Sequence, residues 1–244
     1  MDTAAHTDPS AAIDDARAAT ALFAGRLDAL TDDRLDGPSA LPGWGRRRVV
    51  AHVAYNARAI QRLADWARTG VENRMYLSVE VRNSEIDRGV ELDAADLRAL
   101  FTETAASLDA AWGALSTAAW DARVETFQGR DIPASASVWL RAREPWIHAV
   151  DLASGATFSD VPPSALGHIL GDITAVWAAR GEGIELRATD GGSGTVGGGG
   201  SVGGGGSVTA ARGEVITGTL AELTAWATGR GTLPGTDRIA PAWM

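Results

Sequence analysis

The chain is 244 residues long, 45% hydrophobic and 22% charged, with 31 acidic against 22 basic side chains and a formal net charge of −9. That length suits one or two globular domains, the composition excludes a disordered or fibrous chain, and an acidic excess with no basic stripe argues against a nucleic-acid partner. Cysteine is absent and every basic residue is arginine, which excludes disulfides, thiolate metal sites, a cysteine nucleophile and Schiff-base lysine chemistry, so any thiol chemistry needs a borrowed thiol.

No apolar run approaches the roughly 20 residues that span a bilayer, and the first residues lack a cationic start and an apolar segment. The expectation is a cytoplasmic protein with no membrane partner. From Ser10 to Leu30, Ile13, Ala16, Ala19, Leu22, Phe23, Leu27 and Leu30 recur at spacings of three and four, which predicts an amphipathic helix. Turn chemistry follows in Asp36-Gly-Pro-Ser39 and Leu41-Pro-Gly-Trp44. A second helix runs from Arg46 to Arg68 on Val49, His52, Val53, Asn56, Ile60 and Leu63, and stops at Gly70.

Residues 71–91 are mixed, although Tyr76, Val79, Arg82 and Ile86 fit one face. Asp93 opens a third helix through Leu97, Leu100, Phe101, Leu108 and Trp112, and the stretch after Pro133 starts a fourth, through Val138, Arg141, Glu144 and His148 to Leu152. Four principal helices predict a helix bundle over residues 1–160. Residues 161–244 read as a smaller α+β domain: a helix from Ser164 to Arg180, a strand over Ile184–Ala188, a return strand over Val208–Ile216, and a short helix over Leu220–Thr228 closed by Gly229. The glycine-rich run at 191–207 reads as the tip of a hairpin, or else as an engineered linker, and it lacks the lysine of a phosphate loop.

Two of the four histidines, His52 and His148, lie in predicted bundle helices on faces that carry the apolar stripe. Glu144 and His148 are four apart, so both project from one face of the fourth helix, and His52 from a facing helix would complete a three-ligand site. Two imidazoles and one carboxylate suit a divalent ion, zinc first, with one position left open. Two separate core histidines and a solvated helix acid account for the same spacing equally well. Asp151, three past His148, could orient a ligand ring. Arg141, three before Glu144, could pair with that acid or with a substrate carboxylate, and surface ion pairs are the plainer reading of both. Pro145 should kink this helix. Trp44, Trp139, Trp146, Trp177 and Trp226 read as packing anchors, and His6 and His168 as incidental.

Taken together, Leu41-Pro-Gly-Trp44, His52 in Val50-Ala-His-Val-Ala54, Tyr76, Arg82, the Arg141-x-x-Glu144-x-x-x-His148-x-x-Asp151 run, Gly229-Arg-Gly231 and the terminal Pro241-Ala-Trp243 resemble the mycothiol-dependent maleylpyruvate isomerase family. Pro145 and the glycine run depart from its pattern. The resemblance implies a DinB-like four-helix bundle that holds a divalent metal, usually zinc, on His52, Glu144 and His148, and a functional arginine from the small domain, for which Arg230 is the match. A capping role for Arg230 is the alternative. It further implies conversion of maleylpyruvate to fumarylpyruvate, with mycothiol lending the thiol and with Arg230 and Arg82 holding the carboxylates of a small dicarboxylate substrate. Two other readings share these residues: a mycothiol S-transferase for electrophiles, and a non-enzymatic metal-binding or regulatory protein. A monomer is expected.

Overall fold

In the computed structural model, residues 9–190, 195–196 and 214–243 are described; most of the glycine-rich run, the start of the predicted return strand and His6 lie outside them. The chain is mostly helical and divides into two compact units between Ala156 and Thr157.

In the first unit, α1 (Ser10–Asp28) packs on α7 (Ala136–Asp151), and α3 (Arg46–Thr69) packs on α4 (Val79–Val90), α5 (Ala94–Gly113) and α7. The one-turn helices α2 (Asp32–Leu35) and α6 (Thr117–Trp120) lie in the connections. Spacing explains the long helices: Phe23, Leu27, Val50, Leu97 and Leu152 point into one core, where Phe23 and Phe101 stack at 5.0 Å. α3 ends where Gly70 takes a positive φ of 72° and its N–H returns to the Trp66 carbonyl, and α5 begins where the Asp93 carboxylate accepts from the Asp96 N–H at 2.8 Å.

Residues 79–90, ambiguous in sequence, form α4, capped by the Ser78 hydroxyl. Its contact with α3 is close, since a Cβ on Gly89 would lie 2.8 Å from that of Ala51. α6 and a small hairpin of β1 (Arg123–Glu125) and β2 (Asp131–Pro133) form from stretches too short to carry a clear periodicity. α7 runs unbroken across Pro145.

The second unit opens on a 3-10 turn at Phe158–Asp160, with reciprocal capping by Thr157 and Asp160. α8 (Pro163–Ala179), with proline at its start, packs on α9 (Leu220–Ala227), where Trp177 meets Trp226 edge-on at 5.8 Å. The strands β3 (Ile184–Ala188), β4 (Thr195–Val196) and β5 (Glu214–Gly218) form a sheet ordered β4-β3-β5. This corrects the hairpin reading of the glycine run. β3 pairs antiparallel with β4, but the strand that follows the run, β5, lies parallel to β3 on its other side, with Leu186 opposite Ile216. A parallel neighbour requires a long connection, and the sequence between Ala188 and Glu214 is long enough for one.

Candidate metal centre

The contact between α3 and α7 sets His52 against Glu144 and His148. The Glu144 Oε2 atom lies 2.9 Å from His52 Nε2 and 3.4 Å from His148 Nε2, and one ligand atom from each residue falls within 4.8 Å of the others. The imidazoles stand perpendicular with centroids 4.8 Å apart. Both histidines are buried, at 7% and 6% exposed, while the Glu144 side chain keeps 16% of its surface. The one-turn offset of Glu144 and His148 puts them on a common face, and α3 brings the third donor across.

Asp151 is fully buried, and its Oδ2 accepts from His148 Nδ1 at 2.7 Å, which leaves Nε2 facing Glu144. Its backbone carbonyl also accepts from the Ala40 N–H, tying the loop before α3 to the end of α7. At that loop's end the Trp44 ring lies edge-on to His52 at 5.7 Å, beneath the Arg48 guanidinium. An open hollow of about 480 Å³ lined by residues 36–45 runs up to Trp44. Trp44 therefore belongs to the surroundings of the site, and with Trp139 it is only half-buried, whereas Trp146, Trp177 and Trp226 are core.

Arg82, on α4, brings Nη2 to 3.4 Å from His52 Nδ1. Among the described residues Arg141 pairs with neither Glu144 nor a surface acid; it is 1% exposed, and its Nη1 donates to the Val53 carbonyl at 2.7 Å and to Asn56 Oδ1 at 3.1 Å. Arg230 belongs to the second unit, where Gly229 and Arg230 close α9 by donating backbone N–H groups to Trp226 and Ala225, and Arg230 Nη1 donates to the Thr228 carbonyl at 2.6 Å. That is the capping geometry of a glycine-terminated helix.

Arg62 and Glu85, which the sequence did not single out, join Tyr76 in a group beside Arg82. The Tyr76 hydroxyl donates to the Tyr55 carbonyl, Arg62 lies over the Tyr76 ring, and Arg62 donates to Glu85, a buried acid on α4, at 2.6 Å. The one available signal was the spacing of Arg82 and Glu85, which share a helix face.

Burial pushes the His52 pKa down and outweighs the pull of Glu144, so His52 is neutral. Its Nε2–H donates to Glu144 while Nδ1 faces Arg82. Burial also opposes charge on Glu144 and His148, but hydrogen bonds and opposite charge win at both: the Glu144 carboxyl lies well below its ordinary range, and Asp151 and Glu144 hold His148 above its own. Burial lowers Arg141 to about 10, which keeps it cationic at neutral pH. Two imidazole nitrogens and one ionised carboxylate oxygen, with one ring pinned from behind by Asp151, form a donor set that fits a borderline divalent cation and leaves a position for a further ligand.

The described residues include no helix long and apolar enough to cross a membrane. Residues 16–153 match the family model of the mycothiol maleylpyruvate isomerase N-terminal domain. The whole chain aligns with the whole of a crystal structure of the mycothiol-dependent maleylpyruvate isomerase at 37% identity and a TM-score of 0.87. It aligns equally completely with the H52A mutant of that isomerase at 36% identity and a TM-score of 0.87. No curated protein matches the chain.

Proposed function

The chain belongs to the mycothiol maleylpyruvate isomerase family, and from that membership we propose that it converts maleylpyruvate to fumarylpyruvate with mycothiol as the borrowed thiol. The observation that carries the reading is the buried donor set of His52, Glu144 and His148 in a chain without cysteine. Turning a conjugated cis double bond to trans requires transient loss of the double bond. Addition of a thiolate, rotation about the resulting single bond and elimination of the same thiolate achieve this and return the thiol unchanged.

In this reading His52, Glu144 and His148 hold a divalent cation, zinc by the preference of a mixed nitrogen and oxygen set. A bound dication lowers the pKa of a thiol, which is otherwise about 8.5 and mostly protonated at neutral pH. Asp151 fixes the His148 ring, Trp44 walls off His52, and Arg82 offers a guanidinium at the edge of the site to a substrate carboxylate and to the enolate charge that develops on addition. Arg230 is assigned a second carboxylate-holding role as part of the same proposal. The reading also takes the first unit as a DinB-like four-helix bundle, the second as a small α+β domain, and the working protein as a cytoplasmic monomer.

The test follows maleylpyruvate absorbance over metal-replete protein with mycothiol, with glutathione and with no thiol. Turnover that needs only catalytic mycothiol is expected. Mycothiol consumed mole for mole without fumarylpyruvate would replace the isomerase by a transferase, and full activity in metal-free protein would remove the role of the donor set.

A further inference from the structure

Arg141 is among the largest side chains fully enclosed in the molecule, and its environment is not that of an ordinary buried ion pair. Among the described residues no carboxylate bonds to it. Its Nη1 reaches across from α7 to α3, to the Val53 carbonyl at 2.7 Å and Asn56 Oδ1 at 3.1 Å, while its buried Nη2 has no hydrogen-bond partner among the described residues. The Coulombic support it receives comes from Glu144, one turn further along α7. A buried cation so sparsely partnered opposes folding, and a leucine or methionine would fill the volume without that penalty. Stability alone therefore does not account for an arginine here.

Its two anchor points do. Val53 follows His52 directly, Asn56 lies on the same face one turn on, and Arg141 itself precedes Glu144 by three residues. The guanidinium thus ties α3 to α7 at the turn where the two helices contribute opposing ligands. Both acceptors bond to the one nitrogen, Nη1, whose two N–H groups point in fixed directions within the guanidinium plane, so they are held at a set separation that an apolar side chain cannot impose and a freely rotating ammonium holds less strictly. We propose that Arg141 is a positioning residue that sets the separation of His52 from Glu144 and His148 and thereby the affinity of the site for its cation. The proposal rests on the metal-binding reading given above.

Zinc affinity of the full chain, measured by competition with a chromophoric chelator, tests it, together with the visible spectrum of the cobalt(II)-loaded protein and the melting temperature of the metal-free form. Arg141→Met should weaken zinc binding by about tenfold or more, as removal of groups that orient metal ligands does, and should alter the cobalt spectrum. Arg141→Lys, which keeps the charge and is the variant to rely on should the methionine form not fold, should recover part of the affinity without restoring the spectrum. Leu97→Ala removes core volume from α5 and should lower the melting temperature while leaving zinc affinity within about twofold. A folded Arg141 variant that binds zinc as the parent does, or an equal loss of affinity in Leu97→Ala, would overturn the proposal. A parent protein that binds no zinc would instead overturn the metal reading, and the proposal with it.

Discussion

Replacing Asp151 by asparagine removes a negative charge from behind His148 while leaving its volume in place, so packing loss is small and the effect reports on the ligand. The carboxylate is fully buried and accepts from His148 Nδ1 at 2.7 Å. An asparagine carbonyl can still accept that proton, but a charge-assisted bond is about twice as strong as a neutral one. Loss of a partner of this kind costs a metal site about 10–100-fold in affinity, equivalent to about 1.4–2.7 kcal/mol. The pH dependence gives the prediction its sharper edge. Asp151 and Glu144 hold the His148 pKa above its ordinary value against the opposing effect of burial, so in the parent a proton competes with the cation on the acid side. The asparagine variant lowers that pKa and weakens the competition. The affinity gap is therefore widest near pH 8 and narrows toward pH 6. Chelator competition across that range, with circular dichroism of the metal-free forms as a check on folding, measures it. Equal affinities at pH 8, or a gap that grows toward acid, would refute the role assigned to Asp151.

The raised His148 pKa has a second consequence: zinc uptake by metal-free protein should release about one proton per ion at acidic pH, falling toward zero as pH rises, measurable with an indicator in weak buffer; uptake without proton release would contradict the double bonding of His148 to Asp151 and Glu144. Gly89→Val should cost about 1–3 kcal/mol in denaturant unfolding, because its Cβ would meet Ala51 Cβ at 2.8 Å and Tyr55 Cε2 at 3.0 Å. By displacing α4, which carries Arg82, it should also raise KM. Thr219→Ala removes the reciprocal cap with Glu222 at the start of α9 and should cost about 1 kcal/mol, seen as a lower melting temperature with zinc affinity unchanged.

What could be read in advance follows physical scale. α1, α3, α5 and α7 are long enough for apolar spacing of three and four to accumulate, and their ends carry local signals at Gly70 and Asp93. Glu144 and His148 are legible as a pair because one helix turn separates them; His52 joins them only through the packing of α3 on α7, which spacing within either helix does not encode. The rest depends on contacts no local pattern encodes. α4 is short and polar, and its close approach to Ala51 has room only because residue 89 is glycine. Arg141 reads as one member of a polar stripe, yet the α3 contact encloses it completely. Trp44 looks like core until the loop places it against His52. β5 follows a run whose composition suggests a hairpin, but pairing is decided by which edge of β3 is free and by where the chain re-enters the sheet, and β4 holds one edge while β5 joins the other in parallel.

Charge supplies the last constraint on what this site can accept. The chain carries a formal net charge of −9, which repels an anionic substrate at long range. Around the donor set the balance reverses: Arg82 lies at His52, Arg141 is buried one turn from Glu144, and Arg143 approaches Glu144 at 3.8 Å, against the two carboxylates of Glu144 and Asp151. At physiological ionic strength the Debye length is about 8 Å, so the distant surface charge is largely screened while groups a few ångström from the ligand atoms are not. A bound dication adds to the same local excess. The site thus favours a thiolate together with a dicarboxylate over neutral electrophiles, which is the charge pattern of the proposed isomerisation rather than of general conjugation. If so, raising salt should weaken substrate binding only modestly, because the attraction acts inside the screening length, whereas Arg82→Gln should raise KM for the dianion at every salt concentration.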